Sequence, residues 1–408
     1  MSLKKQIIIN SFGSIMLLGC QWLISILIVR LSGFEDAGVF ALAMSIANVF
    51  ATVMNYGIRN YQVTDISFQY APNYYVYARL FLIIFAGLLC IIYLFIDHYS
   101  PKNTIAILLY LSYNASFNIS DIIMGNIQRA EHLEINGYSN TIRGISCLAL
   151  FGVVQYLNQD LLMAMGAMSL GSLLVLFFFD IPLYLKTCQE RGDLTKGVYK
   201  TIFSIYRICF FIFISTVIPI LITAIPRREI QLILGETMLG FFSSVYTPAV
   251  VLNTLIPSMI IAIVPSISKK WKEGNNQGLK REIRTSYLLV ISITFLAFVV
   301  SVLCGKPFLK MLYGSDILPY TTLLQTAIVA IGLNCACVCG SYIMISLEQR
   351  WLMALFSIIS LCIVLIASRP FIMKCHIYGA AYVLIAGYGV QIILQLFTIH
   401  FNLKENKT

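Results

Sequence analysis

Five polar side chains recur at spacings of three, four, three and four: Ser45, Asn48, Thr52, Asn55 and Arg59. At roughly 100° per residue they occupy a wedge of about 80° on one side of a helix. Such a stripe does not break bonds. Hydroxyls and amides ending in a guanidinium offer a ladder of neutral hydrogen bonds and one fixed positive charge, the means to hold an anion. The rest of the stretch is apolar enough to cross a membrane, and hydrocarbon does not accept polar groups cheaply. The stripe must therefore face other helices as hydrogen-bonding glue, or a water-filled cavity. Arg59 at its inner end favours a wet, cationic cavity.

The elements that position this stripe are helices throughout. The chain has 408 residues, 59% of them hydrophobic and 11% charged, with a mean hydropathy of +0.84. Apolar runs of about 20 residues, the length that crosses a bilayer core, recur from end to end. They predict an all-α membrane protein with twelve transmembrane helices and no independent soluble domain. The expected spans are 7–29, 37–56, 79–97, 103–126, 137–156 and 161–185, then 202–225, 237–265, 285–304, 318–345, 351–368 and 377–400. The first run is too long for a signal peptide, lacks a small-residue cleavage site and carries Asn10, Ser14, Gln21 and Ser25 on one face. The fourth is unusually polar. Asn114, Asn118, Asp121 and Gly125 share one side of it, and Ser112, Ser116 and Ser120 another.

Two lobes are expected, 1–186 and 202–408, joined by a basic cytoplasmic linker at 187–201. Gly235, Gly240 and Phe242 stand 202 residues after Gly33, Gly38 and Phe40, in the outer turn of each half, as parallel repeats require. Five of the eleven prolines, Pro219, Pro226, Pro248, Pro257 and Pro265, crowd the first two helices of the second half. There Ser243, Thr247, Thr254 and Ser258 form another polar face. Bent, polar-faced helices at matching places mark the substrate path.

The net charge of +10 does not signal nucleic acid, because its distribution is a topology device. Lys4, Lys5, Arg59, Arg79, Arg129, the basic residues of 186–207 and Lys269 to Arg284 fall in one alternating set of loops. The opposite set carries roughly half as many, which puts both termini in the cytoplasm. Arg79 reads as one such anchor. The eleven cysteines are scattered. Cys335, Cys337 and Cys339 alternate within one helix, so small residues at a helix contact explain them better than a metal. The four histidines lie far apart.

One stretch carries a resemblance. R-L-x-G-x-E-x-x-G-x-F-x-L-A-x-S from Arg30 to Ser45, followed by G-x-R-N-Y-Q-x-x-D from Gly57 to Asp65, resembles the bacterial polysaccharide-unit flippases called Wzx. These belong to the multidrug/oligosaccharidyl-lipid/polysaccharide exporter superfamily. The strong match covers about forty residues. It implies two six-helix lobes around a central cavity, alternating access, and an undecaprenyl-diphosphate-linked oligosaccharide as substrate. A polysaccharide polymerase and a chain-length regulator are partners in such a pathway, the bilayer its medium and the inner membrane its location.

The residues divide between two readings. Arg30, Arg59, Arg143, Arg207 and Arg228 are either ligands for phosphate oxygens or snorkelling anchors at helix ends. Asn48, Thr52 and Asn55 are substrate-facing rungs or packing glue. Asp121 and Asp180 are sites for a coupling ion, or partners of nearby cations such as Arg129 and Lys186. No nucleophile–base pair, paired-carboxylate constellation, Walker loop or dinucleotide fingerprint is present. No catalytic residue, metal or cofactor is therefore expected, and an ion gradient or the substrate's own gradient would drive transport. A cation-coupled drug exporter of the same superfamily would prefer acidic cavities. A membrane polymerase or ligase would carry a long outer loop with catalytic residues, and no outer loop here exceeds about a dozen residues. The flippase reading leads. The topology has a direct test. Single cysteines at 32–36, 230–236 and 312–316 of a cysteine-free variant should react with an impermeant reagent from outside intact cells. Cysteines at 188–198 or 272–280 should stay silent, and their labelling would reverse the assignment.

Overall fold

The computed structural model describes residues 1–65, 70–187, 198–261 and 263–405. Among these the backbone is helical nearly throughout, and two compact units divide at Ile220 and Leu221. The expected linker at 187–201 lies mostly outside the described residues.

In the first unit α1 runs Leu3–Asn55 and is helical on both sides of one break at Gly33. The expected turn at 30–36 is thus reduced to a single non-helical residue. The short α2 (Ile58–Thr64) follows, then α3 (Pro72–Asp97), α4 (Pro101–Arg129), α5 (Leu133–Asn158) and α6 (Leu161–Val175). One π turn, Leu176–Asp180, joins α6 to α7 (Ile181–Thr187). The first arm of α1 packs against α5 at closest range through glycine. A Cβ built on Gly13 would lie 2.0 Å from the Gly137 carbonyl oxygen, so the two backbones touch. Helices in a membrane associate through such close approach, since lipid tails offer no hydrophobic driving force between them.

The helix α8 (Val198–Leu234) crosses the unit boundary. The second unit continues with α9 (Glu236–Val250), α10 (Leu252–Ile261), α11 (Val264–Lys272), α12 (Asn276–Tyr313), α13 (Thr321–Ser346), α14 (Arg350–Cys375) and α15 (Ile377–Glu405). The expected continuous span at 237–265 is three segments. Pro248 and Pro257 lie inside the first two and Pro265 opens the third. Each ring removes a main-chain donor, so the ladder cannot run unbroken. Most of α13 is buried, and two of its cysteines serve different neighbours. Cys335 donates to the Leu252 carbonyl of α10 and Cys337 to the Tyr388 carbonyl of α15.

Among the described residues, nine helical stretches are long and apolar enough to cross a membrane, including Lys4–Val63 as a single stretch and Glu236–Lys272 across α9 to α11. Helices α4 and α5 are long enough at about 1.5 Å per residue but too polar to join that set. Many of their polar residues, Asn114, Ser116, Asn118, Ser120, Ser139 and Arg143 among them, are buried inside the unit, which is how such helices survive among apolar ones.

The two glycines of the repeat share one backbone conformation. Gly33 has φ 86° and ψ −174°, and Gly235 has φ 88° and ψ 177°. This region is essentially closed to residues with a Cβ. A Cβ at either position would meet nothing within 4 Å, so the demand for glycine comes from the backbone alone. Gly33→Ala and Gly235→Ala should each cost about 1–3 kcal/mol of stability, read as lowered thermal midpoints in detergent. Gly19→Ala, also unobstructed but helical, should be neutral or slightly stabilising.

Candidate functional site

The polar stripe ends differently from the sequence expectation. The helix stops at Asn55, and Tyr56 and Gly57 both take left-handed backbone conformations, φ 47° and 70°. Tyr56 N–H still donates to the Thr52 carbonyl at 2.9 Å, and Gly57 N–H donates to the Asn55 side-chain oxygen at 3.2 Å. A Cβ on Gly57 would lie 2.4 Å from Ile212 of α8. Arg59 therefore does not continue the stripe's helix but rides on α2.

That small helix explains the spacing of the family-like motif. Arg59, Gln62 and Asp65 stand three apart along it and meet the end of α4. Arg59 Nη1 donates to Asp121 Oδ1 and to the Asp121 main-chain carbonyl, both at 2.6 Å, and Nη2 donates to Gln128 at 3.1 Å. Gln62 donates to Asn126 at 2.6 Å and to the Ile122 carbonyl at 3.2 Å. Asp65 accepts from Tyr75 at 2.8 Å and pairs with Arg129 at 3.4 Å. Gly125 makes this contact possible, because a Cβ there would lie 2.0 Å from the Gln62 side-chain oxygen.

Arg79 overturns its reading as an exposed anchor. It sits two turns inside α3 and is fully buried. Its Nη1 donates to the Met54 carbonyl and to Asn118 Oδ1, each at 3.0 Å, and Nη2 lies 3.4 Å from Asp121 Oδ2. Part of its charge thus caps the C-terminal end of α1, where carbonyls lack helical partners. Two guanidiniums share one carboxylate, which leaves the trio with a net charge of +1. The Arg59 and Asp121 side chains are 16% and 20% exposed and that of Arg79 is 0%, so the trio is accessible only at its Arg59–Asp121 end.

A polar file leads away from this charge. Asn118 Nδ2 donates to the Asn114 carbonyl at 2.9 Å, and Asn114 Nδ2 donates to Asn48 Oδ1 at 3.1 Å. Asn48 thus belongs to an interhelical network. Thr52 returns its hydroxyl to the Asn48 carbonyl at 2.9 Å, and Asn55 holds the turn. Glue and cationic site are one structure here.

The opposite face of α4 serves a second cluster. Ser112 pairs with Ser169 at 3.0 Å, Ser116 with Ser172, and Ser120 donates to Asp180. Asp180, in the π turn, also accepts from Ser139 at 2.7 Å and from Arg143 at 2.5 Å. Arg143 and Asp180 are both 0% exposed. In this conformation they close on each other, with the Arg143 guanidinium over Phe117 at 5.4 Å, and neither faces solvent. Arg30 and Arg207 are exposed. Arg228, in the second unit, lies 3.4 Å from Glu229. Among the described residues no three His, Cys, Asp or Glu side chains converge as a metal site.

Arg79, Gln128, Asn114 and Asn118 were not singled out as site residues by sequence. The signals were present: a charge two turns inside an apolar helix, and the asparagine–aspartate side of α4. Which helices faced each other was not.

This is the fold of multi-pass membrane transporters. It is similar to the lipid II flippase MurJ in an inward closed conformation, with a TM-score of 0.72 at 11% identity over 98% of this chain and 90% of that one. It is also similar to an inward-facing multidrug resistance MATE family transporter of the MOP superfamily, at 0.69 and 13% over 98% of each chain. The polysaccharide biosynthesis protein family model matches residues 3–271, and the chain belongs to that family. A relative from Staphylococcus aureus, the capsular polysaccharide biosynthesis protein CapF, is 24% identical over 297 residues, covering 73% of this chain and 74% of its own.

The buried trio carries a prediction. Arg79→Ala would leave Asp121 and Asn118 underpaired and the end of α1 uncapped. It should cost about 3–5 kcal/mol, as breaking buried ion pairs does, and appear as low yield and an early melt. Asn48→Leu, which orphans one amide of Asn114, should cost about 1–3 kcal/mol.

Proposed function

We propose that the protein is a flippase for a polyprenyl-diphosphate-linked oligosaccharide repeat unit, moving it from the inner to the outer leaflet of the cytoplasmic membrane. The observation that carries this reading is the net-cationic trio of Arg59, Arg79 and Asp121, open at Arg59 and continued by the Asn118–Asn114–Asn48 file. A diphosphate needs a charge that persists at every pH and a fork that meets two oxygens, both properties of arginine. The sugars need hydrogen-bonding groups, while the lipid tail stays in the bilayer. A carrier of cationic drugs would gain nothing from this sign of charge. Kinship with a capsular polysaccharide protein and a fold shared with a lipid II flippase support the same class of substrate.

In this proposal Arg59 meets the diphosphate by exchanging part of its contact with Asp121. Asn48 and Thr52 line the path and Arg30 offers a further cation. Asp121, freed in part, is the candidate for ion coupling. Arg143 and Asp180 hold the unit together in the conformation described. Twelve crossings follow if the two arms of α1 count separately and α4 and α5 span the membrane, with both termini in the cytoplasm. A polymerase and a chain-length regulator act downstream.

The test is complementation of a deletion strain. Deletion should abolish surface glycan while completed lipid-linked units accumulate unpolymerised in the inner leaflet. Arg59→Lys should restore transport in part. Arg59→Ala should lose roughly ten- to a hundredfold, the worth of a charge-assisted phosphate contact of about 1.5–3 kcal/mol. Normal transport by well-expressed Arg59→Ala protein would remove Arg59 from the path. Single units reaching the outer surface without joining would instead indicate a polymerase.

A further inference from the structure

The second unit holds a cation whose neighbours supply no counter-charge. Arg227, on α8, places its guanidinium carbon 5.5 Å from the centroid of the Tyr246 ring. Tyr246 on α9 and Tyr388 on α15 are 4% and 2% exposed, and both phenols lie within electrostatic range of the guanidinium. Cys335 of α13 is within electrostatic range of the same two phenols. Beside it Asn334 donates to Asn253 at 3.1 Å, an amide pair that the Cys335 thiol also reaches at 3.4 Å. Arg227 thus turns into the bundle, whereas an arginine that snorkels would extend outward along apolar surface.

Its neighbour in sequence behaves otherwise. Arg228 pairs with Glu229, while among the described residues no carboxylate pairs with Arg227. Burial of Arg227 is incomplete, so it is packed among protein groups yet keeps some accessible surface. A ring face returns only part of what a cation loses on leaving water, and a membrane bundle retains an unmatched charge at a cost in stability. The surrounding groups, phenols and amides, are those that bind hydroxyl-rich molecules.

We infer that Arg227 anchors a second anion site, taking a carboxylate or phosphate group of the carried molecule, with Tyr246, Tyr388 and the Asn253–Asn334 pair beside it for adjoining sugar. The inference rests on the transport reading for the identity of the carried molecule, but the site shares no residue with the Arg59 cluster. Arg228, which sequence alone could not separate from Arg227, is not part of it.

The experiment uses full-length protein in detergent micelles carrying Arg59→Ala, so that the first cluster does not contribute. Inorganic pyrophosphate and glucuronate are titrated separately by calorimetry. Binding of pyrophosphate alone identifies the diphosphate as the source of the anion; binding of glucuronate alone identifies an acidic sugar. In either case Arg227→Gln should weaken binding roughly ten- to a hundredfold, and Arg228→Gln should leave it unchanged. Arg227→Lys, which keeps the charge and so protects the fold, should weaken binding less than Arg227→Gln at an unchanged melting temperature. If neither probe binds, or if binding survives Arg227→Gln in folded protein, the site is not an anion site. Failure of the transport reading is distinct, since it is decided by complementation with Arg59 variants and not by binding at Arg227.

Discussion

The first unit depends on a carboxylate that serves two guanidiniums. Asp121 lies between Arg59 and Arg79, and the three side chains come from α4, α2 and α3. An aspartate and two arginines cannot each be buried alone among apolar helices, because the desolvation of every charge must be offset by a partner. One carboxylate offsets the charge of one cation, so the trio carries one positive charge in surplus. Arg79 takes the buried position and adds two neutral acceptors, the Met54 carbonyl and Asn118. Asp121 stands closer to Arg59, at 2.6 Å against 3.4 Å for Arg79, so the surplus is shared across the trio and Arg59 is its accessible end. The contacts that hold α2 against α4 thus also gather this charge at the end of α1.

Helix α4 is the element through which the unit is assembled. Its asparagine–aspartate side faces α1, α2 and α3, and its serine side faces α6 and the π turn. A helix polar on two sides would be unstable against lipid, so both sides must find partners, and nearly every polar residue on it does. The π turn at Leu176–Asp180 brings Asp180 within reach of Ser120, Ser139 and Arg143 together. A closed pair of this kind orients helices. An open pair, as at Asp121, can exchange one partner for another.

Much of this protein was settled by local chemistry that sequence carries directly. Apolar runs of bilayer length dictate helices, since only internally hydrogen-bonded backbone survives in hydrocarbon. The prolines of the second half dictate interruption, because a missing donor cannot be supplied by a neighbour in sequence. Gly33 and Gly235, marked by the repeat, share a conformation that only glycine adopts freely. The stripe from Ser45 to Arg59 marks a polar face on an apolar helix, and the Gly57–Asp65 pattern marks the segment that clips α2 to α4.

What sequence could not decide was which polar groups spend themselves on one another. Arg59, Arg79 and Arg143 are the same residue type on apolar helices, and nothing local distinguishes them. Tertiary structure puts Arg143 against Asp180 in a closed pair, Arg79 in a capping role beneath Asp121, and Arg59 at the solvent edge. Asn55, three residues after Thr52, reads as a rung but holds a turn, because two left-handed residues end the helix there. Arg227 and Arg228 are adjacent, yet one turns over Tyr246 and the other pairs with Glu229. Helix periodicity assigns a side chain to a face; only the packing of helices distant in sequence decides whether that face meets a carboxylate, a ring or water, and so whether its charge is spent or free.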